Sequence, residues 1–165
     1  MDGFPSVSGV AARYDFFMGD IQEAIEAFEQ CWSLDGWDEE SAWAAYRAAS
    51  LWVRLDDYKE AIASCTDGLQ RHPGVAELYW LAGWCCYQLG RYEHAIRWGR
   101  QAIAAVRGVG GLKDRIGFRY PPALFEGPYD VIRWSWRALG EEGLAFLADE
   151  AFEEALARRE KSHAP

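Results

Sequence analysis

Two short stretches of this chain read alike at a fixed distance. Asp57-Tyr58-Lys59-Glu60-Ala61 and Arg91-Tyr92-Glu93-His94-Ala95 align a Tyr and, three residues later, an Ala, at an offset of 34 residues in a chain of 165. A Tyr and an Ala one helical turn apart share a helix face, and the small residue lets a second helix backbone come close. A period in this range constrains the fold more than any single residue does. Each unit buries too little apolar surface alone and must stack on its neighbours.

The residues between the two copies extend the pattern. One unit runs from Ala42 to Pro73 and the next begins at Ala76. In the second unit Tyr79, Ala82, Gly83, Gly90, Tyr92, Ala95 and Ala102 fall at positions 4, 7, 8, 15, 17, 20 and 27 of the tetratricopeptide pattern, so the chain resembles that repeat family. In the first unit Ala48 and Ala49 take the small packing positions and Trp52 the large one. Gly68 and Gly99 stand where larger residues are usual; they lower helix propensity or admit a neighbour's aromatic ring. Upstream, Gly19 to Phe28 reads as a second helix, with Val10 to Met18 as its first. Downstream, Gly108-Val109-Gly110-Gly111, Pro121-Pro122 and Gly127-Pro128 interrupt the helices, and the aromatic content of that stretch predicts an ordered loop lying across an edge of the array. Tyr129 to Leu139 and Glu141 to Arg159 form a last pair, with Leu144, Leu147, Ala148, Ala151 and Ala155 on its apolar face and a charged outer face that caps the array. The expectation is an all-α, right-handed solenoid of about four helical hairpins, near 10–33, 38–72, 75–107 and 128–160, with one long irregular loop at about 108–127.

Composition narrows the function. A formal net charge of −9 argues against nucleic-acid binding, which needs a positive face. No apolar run is long enough to span a bilayer, and Met1 to Pro5 lacks a secretion signal, so no membrane partner and a cytoplasmic location are expected. Cys31, Cys65, Cys85, Cys86 and the three His residues lack metal-ligand spacing, and no catalytic constellation or phosphate loop is present. No metal, cofactor or enzymatic activity is therefore expected, and the Cys residues read as small buried apolar groups.

A more specific resemblance rests on Asp35-Gly36-Trp37-Asp38-Glu39-Glu40, on His72-Pro73, on Ala76 to Ala82, and on Ala123-Leu124-Phe125-Glu126 leading into Tyr129-Asp130-Val131. In order and spacing these resemble the tetratricopeptide region that follows the catalytic domain of bacterial family-2 glycosyltransferases, over roughly residues 20 to 140. The sheet-containing transferase domain and its Asp-x-Asp element are missing. The resemblance thus implies context, a bacterial protein and a glycosyltransferase in trans as a partner, and transfers no catalytic residue.

In the repeat family the first helix of each hairpin lines a concave face. Carried over by position, that mapping gives Trp43, Tyr46, Ser50, Val53 and Arg54, then Glu77, Trp80, Trp84, Tyr87 and Gln88, then Asp130, Trp134 and Arg137. Such rings either fill the interior of a short array or form an aromatic groove for a protein or peptide, with Arg54, Asp130 and Arg137 fixing polarity. Between Arg91 and Arg119 seven basic residues face two acidic ones, so Arg97, Arg100, Lys113, Arg115 and Arg119 form either a solvated helix face or an anion-binding edge. With the aromatic groove, that edge defines the alternative role of a saccharide or nucleotide-sugar binder. Apolar helix faces at the array ends allow a homodimer.

Overall fold

The computed structural model describes residues 11–33, 38–108 and 120–162, without the side chains of 11–18, 31–33 and 38–40. Among them lie eight helices and no strand: α1 (Ala11–Ser33), α2 (Asp38–Arg54), α3 (Tyr58–Arg71), α4 (Ala76–Gln88), α5 (Tyr92–Gly108), α6 (Pro121–Leu124), α7 (Gly127–Ala138) and α8 (Glu142–Ser162). α2/α3, α4/α5 and α7/α8 are antiparallel hairpins, and α2, α4 and α7 lie side by side as one layer. Each second helix also packs on the first helix of the following hairpin, α3 on α4 and α5 on α7. The result is an all-α solenoid.

One mechanism closes all three hairpins. The second residue past the first helix lies in the left-handed region in each, Asp56 (φ 56°), Gly90 (φ 75°) and Gly140 (φ 79°). The amides of Asp57, Arg91 and Glu141 then reach back to the carbonyls of Trp52, Cys86 and Trp136 at 2.9, 2.8 and 2.9 Å. These six-to-one bonds satisfy carbonyls that a helix end leaves open, and they turn the chain within three residues. Asp57 then caps α3, its side chain accepting from the Glu60 amide at 3.2 Å.

The core is built from small side chains. Ala44, Ala45, Ala48, Ala49, Ala61 and Ala82 are buried with Cys65, Cys85 and a few Leu. Burial holds these thiols protonated, with Cys85 pushed up to about 12. The closest approach is at Gly68, where a Cβ would lie 2.7 Å from the Ala45 Cβ and 2.9 Å from Leu78 Cδ1. At Gly99 it would lie 2.8 Å from Ile132 Cγ1 and 3.1 Å from the Pro128 carbonyl. Gly68 therefore admits Ala45 of its own first helix and Leu78 of the next, and Gly99 admits Ile132 of α7; of the two readings offered for these glycines, the close neighbour is aliphatic rather than an aromatic ring.

Three further expectations are corrected. The hairpin expected at 10–33 is the single helix α1, which runs through Gly19. A lone Gly costs only about 1 kcal/mol in a helix, and the burial of Ile21 and Ile25 against Leu51 of α2 outweighs it. The loop expected to stay irregular to 127 contains the short α6, and its described end lies against α4, α5 and α7 rather than across an edge. On α8 the buried residues are Ala145, Ala148 and Ala155, while Leu144, Phe146 and Leu147 are exposed, so its first half is no charged cap. Among the described residues no helix packs over this side of α8, and these side chains stand in solvent.

Two stability measurements test these points. Gly68→Ala forces a methyl against the Ala45 methyl, which cannot swing away; overpacking of roughly 1–3 kcal/mol less about 1 kcal/mol of helix propensity predicts a net loss of up to about 2 kcal/mol by denaturant unfolding. Asp56→Gly removes the strain of a left-handed Asp at the expense of its 3.2 Å bond from the exposed Tyr58 hydroxyl. It should gain about 0.5 kcal/mol, read as a small rise in melting temperature.

Candidate functional site

The helix period brings one face of α2 and one of α4 together on the inner layer, and Tyr46 and Trp80 meet there through a third ring. Tyr120, the residue before α6, stacks on Trp80 at 5.1 Å between centroids and 30° between planes. The same ring lies 6.4 Å from Tyr46 at 32°. Its backbone amide donates to Glu77 Oε2 at 3.4 Å, and Glu77 is 0% exposed at the foot of the wall. Burial pushes the Tyr46 hydroxyl above its ordinary range, with Tyr120 and Glu77 beside it adding to the shift.

Local sequence explains how the chain enters this wall. Pro121 and Pro122 open α6, whose preceding residue Tyr120 is extended (φ −122°, ψ 97°). Gly127 allows close contact on the other side, since a Cβ there would lie 2.7 Å from the Trp80 indole nitrogen and from the Pro122 carbonyl. Glu126, nearly buried, accepts from Arg159 Nε through both carboxylate oxygens at 2.7 and 2.8 Å, fastening this turn to the far end of α8.

The other expected wall residues divide. Trp43 on α2 and Trp134 on α7 are 36% and 45% exposed. Arg47 stands over the Trp43 ring at 5.3 Å, and Arg133 and Arg137 over the Trp134 ring at 5.5 and 5.0 Å. Trp84, half-buried against the core, meets Tyr58 of α3 edge-on at 5.8 Å, and Tyr87 packs on Tyr92 at 5.5 Å. Arg54 is half-buried. Asp130 accepts from Arg133 Nε at 2.8 Å and Arg137 Nη1 donates to Asp149 at 2.9 Å, so these charges tie α7 together and to α8. Sequence reasoning passed over Tyr120, Glu126 and Arg159, which join the wall from outside the repeat pattern. The available signals were the Tyr-Pro-Pro run and the Gly-Pro step.

Of the expected anion-binding edge, Lys113, Arg115 and Arg119 lie outside the described residues. Arg97 and Arg100 are exposed on α5 and share a cleft of about 390 Å³ with Glu93, Glu141 and Trp136. Arg100 lies 5.9 Å over the Trp136 ring. The cleft is thus of mixed charge. A second cleft of about 440 Å³ lies between α3, α4 and α5, with Leu69, Tyr79 and Trp98 as apolar lining and His94 and Arg97 at its rim. Among the described residues no group of His, Cys, Asp and Glu is placed to hold a metal, and no helix is long and apolar enough to cross a membrane.

The Asp149 carboxyl is held below the usual carboxylate range by the hydrogen bond from Arg137, with Arg133 adding to the effect. A depressed pKa gives stability that is present at neutral pH and lost as pH falls through the folded value. In an NMR titration Asp149 should show a midpoint below about 3.9, and Arg137→Ala should move it upward.

Comparison with known proteins agrees with the architecture. The tetratricopeptide repeat family profile matches residues 10–74 and 46–109, well over half of the chain. Among solved structures, one of MamA protein superposes with a TM-score of 0.63 at 19% identity, over 93% of this chain and 73% of that one. A second MamA structure gives 0.62 at 21% identity, over 92% and 75%. BtubC (BKLC) from P. vanneervenii gives 0.63 at 19% identity, over 94% and 63%. No curated protein matches the sequence. At such identities the superpositions speak for the fold alone, whereas the profile match identifies the family. The chain belongs to the tetratricopeptide repeat family, whose fold serves generally as a scaffold for protein interaction.

Proposed function

We propose that this protein is a non-catalytic module that holds a protein or peptide partner along the layer of first helices. Trp43 and Trp134 serve as exposed anchors, with the Tyr46–Trp80 seat between them. The observation that carries this reading is the exposure of two tryptophans on first helices, each with an arginine over its ring. Exposed Trp and Arg are the residues most often found at the energetic centre of protein interfaces, because they bring large area and fixed geometry at low entropy cost.

A glycosyltransferase acting in trans is a partner on the strength of the sequence resemblance alone, and the exposed Leu144, Phe146 and Leu147 on α8 offer a face for a second copy. The cytoplasm is the compartment we propose for the module. The saccharide-binding alternative is not favoured: the basic edge on α5 shares its cleft with Glu93 and Glu141.

A photo-crosslinking residue at position 43 or 134 should trap a partner in a native lysate, and one at exposed Glu60 on α3 should not. Trp43→Ala and Trp134→Ala should each weaken retention of the trapped partner by about tenfold. Their melting curves should stay near that of the parent. Undiminished retention in both variants would remove the wall as the binding surface.

A further inference from the structure

The wall's central seat is already filled by the chain itself, and the manner of filling defines what else fits. Tyr120 contributes a flat ring against Trp80 and Tyr46 and one backbone N–H to the Glu77 carboxylate. The seat is thus complementary to an aromatic residue on an extended backbone, with its amide free to donate. Tyr120 as a residue is 38% exposed, so the resident occupies the seat without being locked into the core. A chain with net charge −9 also attracts cationic segments over distance.

We infer that Tyr120 is an internal competitor, and that a partner engages the wall by placing an aromatic residue of its own on Trp80 and Tyr46, donating its amide to Glu77, in place of Tyr120. This rests on the reading of the first-helix layer as the partner-binding wall and adds the class of partner segment and its regulation. The resident is tethered, so its effective concentration is high and it lowers the apparent affinity of any segment that uses the same seat, by the fraction of time the seat is empty. Weak partners are excluded. Segments with further contacts to Trp43 or Trp134 offset the competition.

The probe is a peptide with the chain's own residues 120–125, acetyl-Tyr-Pro-Pro-Ala-Leu-Phe-amide, titrated into the full chain while the Trp80 indole N–H is followed by NMR. Tyr120→Ala should bind it about tenfold more tightly than the parent, and Tyr120→Phe, which keeps a ring, should behave like the parent. Tyr120→Leu keeps apolar bulk without a flat ring and should resemble Tyr120→Ala, which guards against a variant that merely loosens the fold. A control peptide beginning with Ala should leave the Trp80 signal in place. In the Tyr120→Ala background, Glu77→Gln should weaken binding several-fold, since an amide oxygen replaces a charged acceptor. Equal affinity of the parent, Tyr120→Ala and Tyr120→Leu, or no preference for the Tyr peptide over the control, overturns the inference. Should either result coincide with tenfold losses of the natural partner in Trp43→Ala and Trp134→Ala, the wall stands as a binding surface and only the competition is refuted.

Discussion

The array depends on backbones meeting where side chains have been removed. At each joint between a second helix and the next first helix a glycine faces an aliphatic neighbour: Gly68 on α3 meets Leu78, with Ala45 of its own hairpin on the same side, and Gly99 on α5 meets Ile132 and the Pro128 carbonyl. Within the hairpins the same closeness comes from alanines at 0% exposure and from Gly83, where an added Cβ would lie 3.1 Å from that of Trp98. Contacts of this kind gain dispersion energy over many atom pairs, but only while the spacing holds. The left-handed turns at Asp56, Gly90 and Gly140 set that spacing by fixing where each return helix begins.

Close packing of small residues has a second effect. Aromatic rings cannot enter such joints, so the bulk of the aromatic content is displaced to the faces of the helices. There the rings find one another in pairs, Tyr58 with Trp84, Tyr79 with Trp98, Tyr87 with Tyr92, and Tyr120 with Trp80. Among the described rings on the first-helix layer, Trp43 and Trp134 are the exposed ones.

How much of this could be read from the residues follows from the range of the interactions. Helix order from α2 to α5 was legible, because the 34-residue offset and the small-residue positions are local, repeated signals. The continuity of α1 through Gly19 was not, since one weak breaker gives way to burial of Ile21 and Ile25, a tertiary effect. At the wall, Tyr46 and Trp80 were found by position. Trp84 has the same positional credentials, yet its ring meets Tyr58 of α3, a contact between neighbouring helices that a positional template does not contain. The part played by Tyr120 was not legible either: it depends on contacts with Glu77 and Trp80 some forty residues away in sequence. Charges mapped to the wall at Asp130 and Arg137 proved to be committed to Arg133 and Asp149, partners on the same hairpin that a repeat template does not contain.

The bidentate contact between Glu126 and Arg159 reaches from the turn beneath the wall to within one turn of the end of α8. Without the Arg159 guanidinium this nearly enclosed carboxylate would have to draw in water, and the turn carrying Gly127 would shift against the indole it touches. Wear at the tail, by a protease nibbling back one helical turn, would thus be transmitted to the interior recess over the whole width of the last hairpin. Fraying at one extremity of the molecule and the readiness of its recess for a guest are mechanically one property.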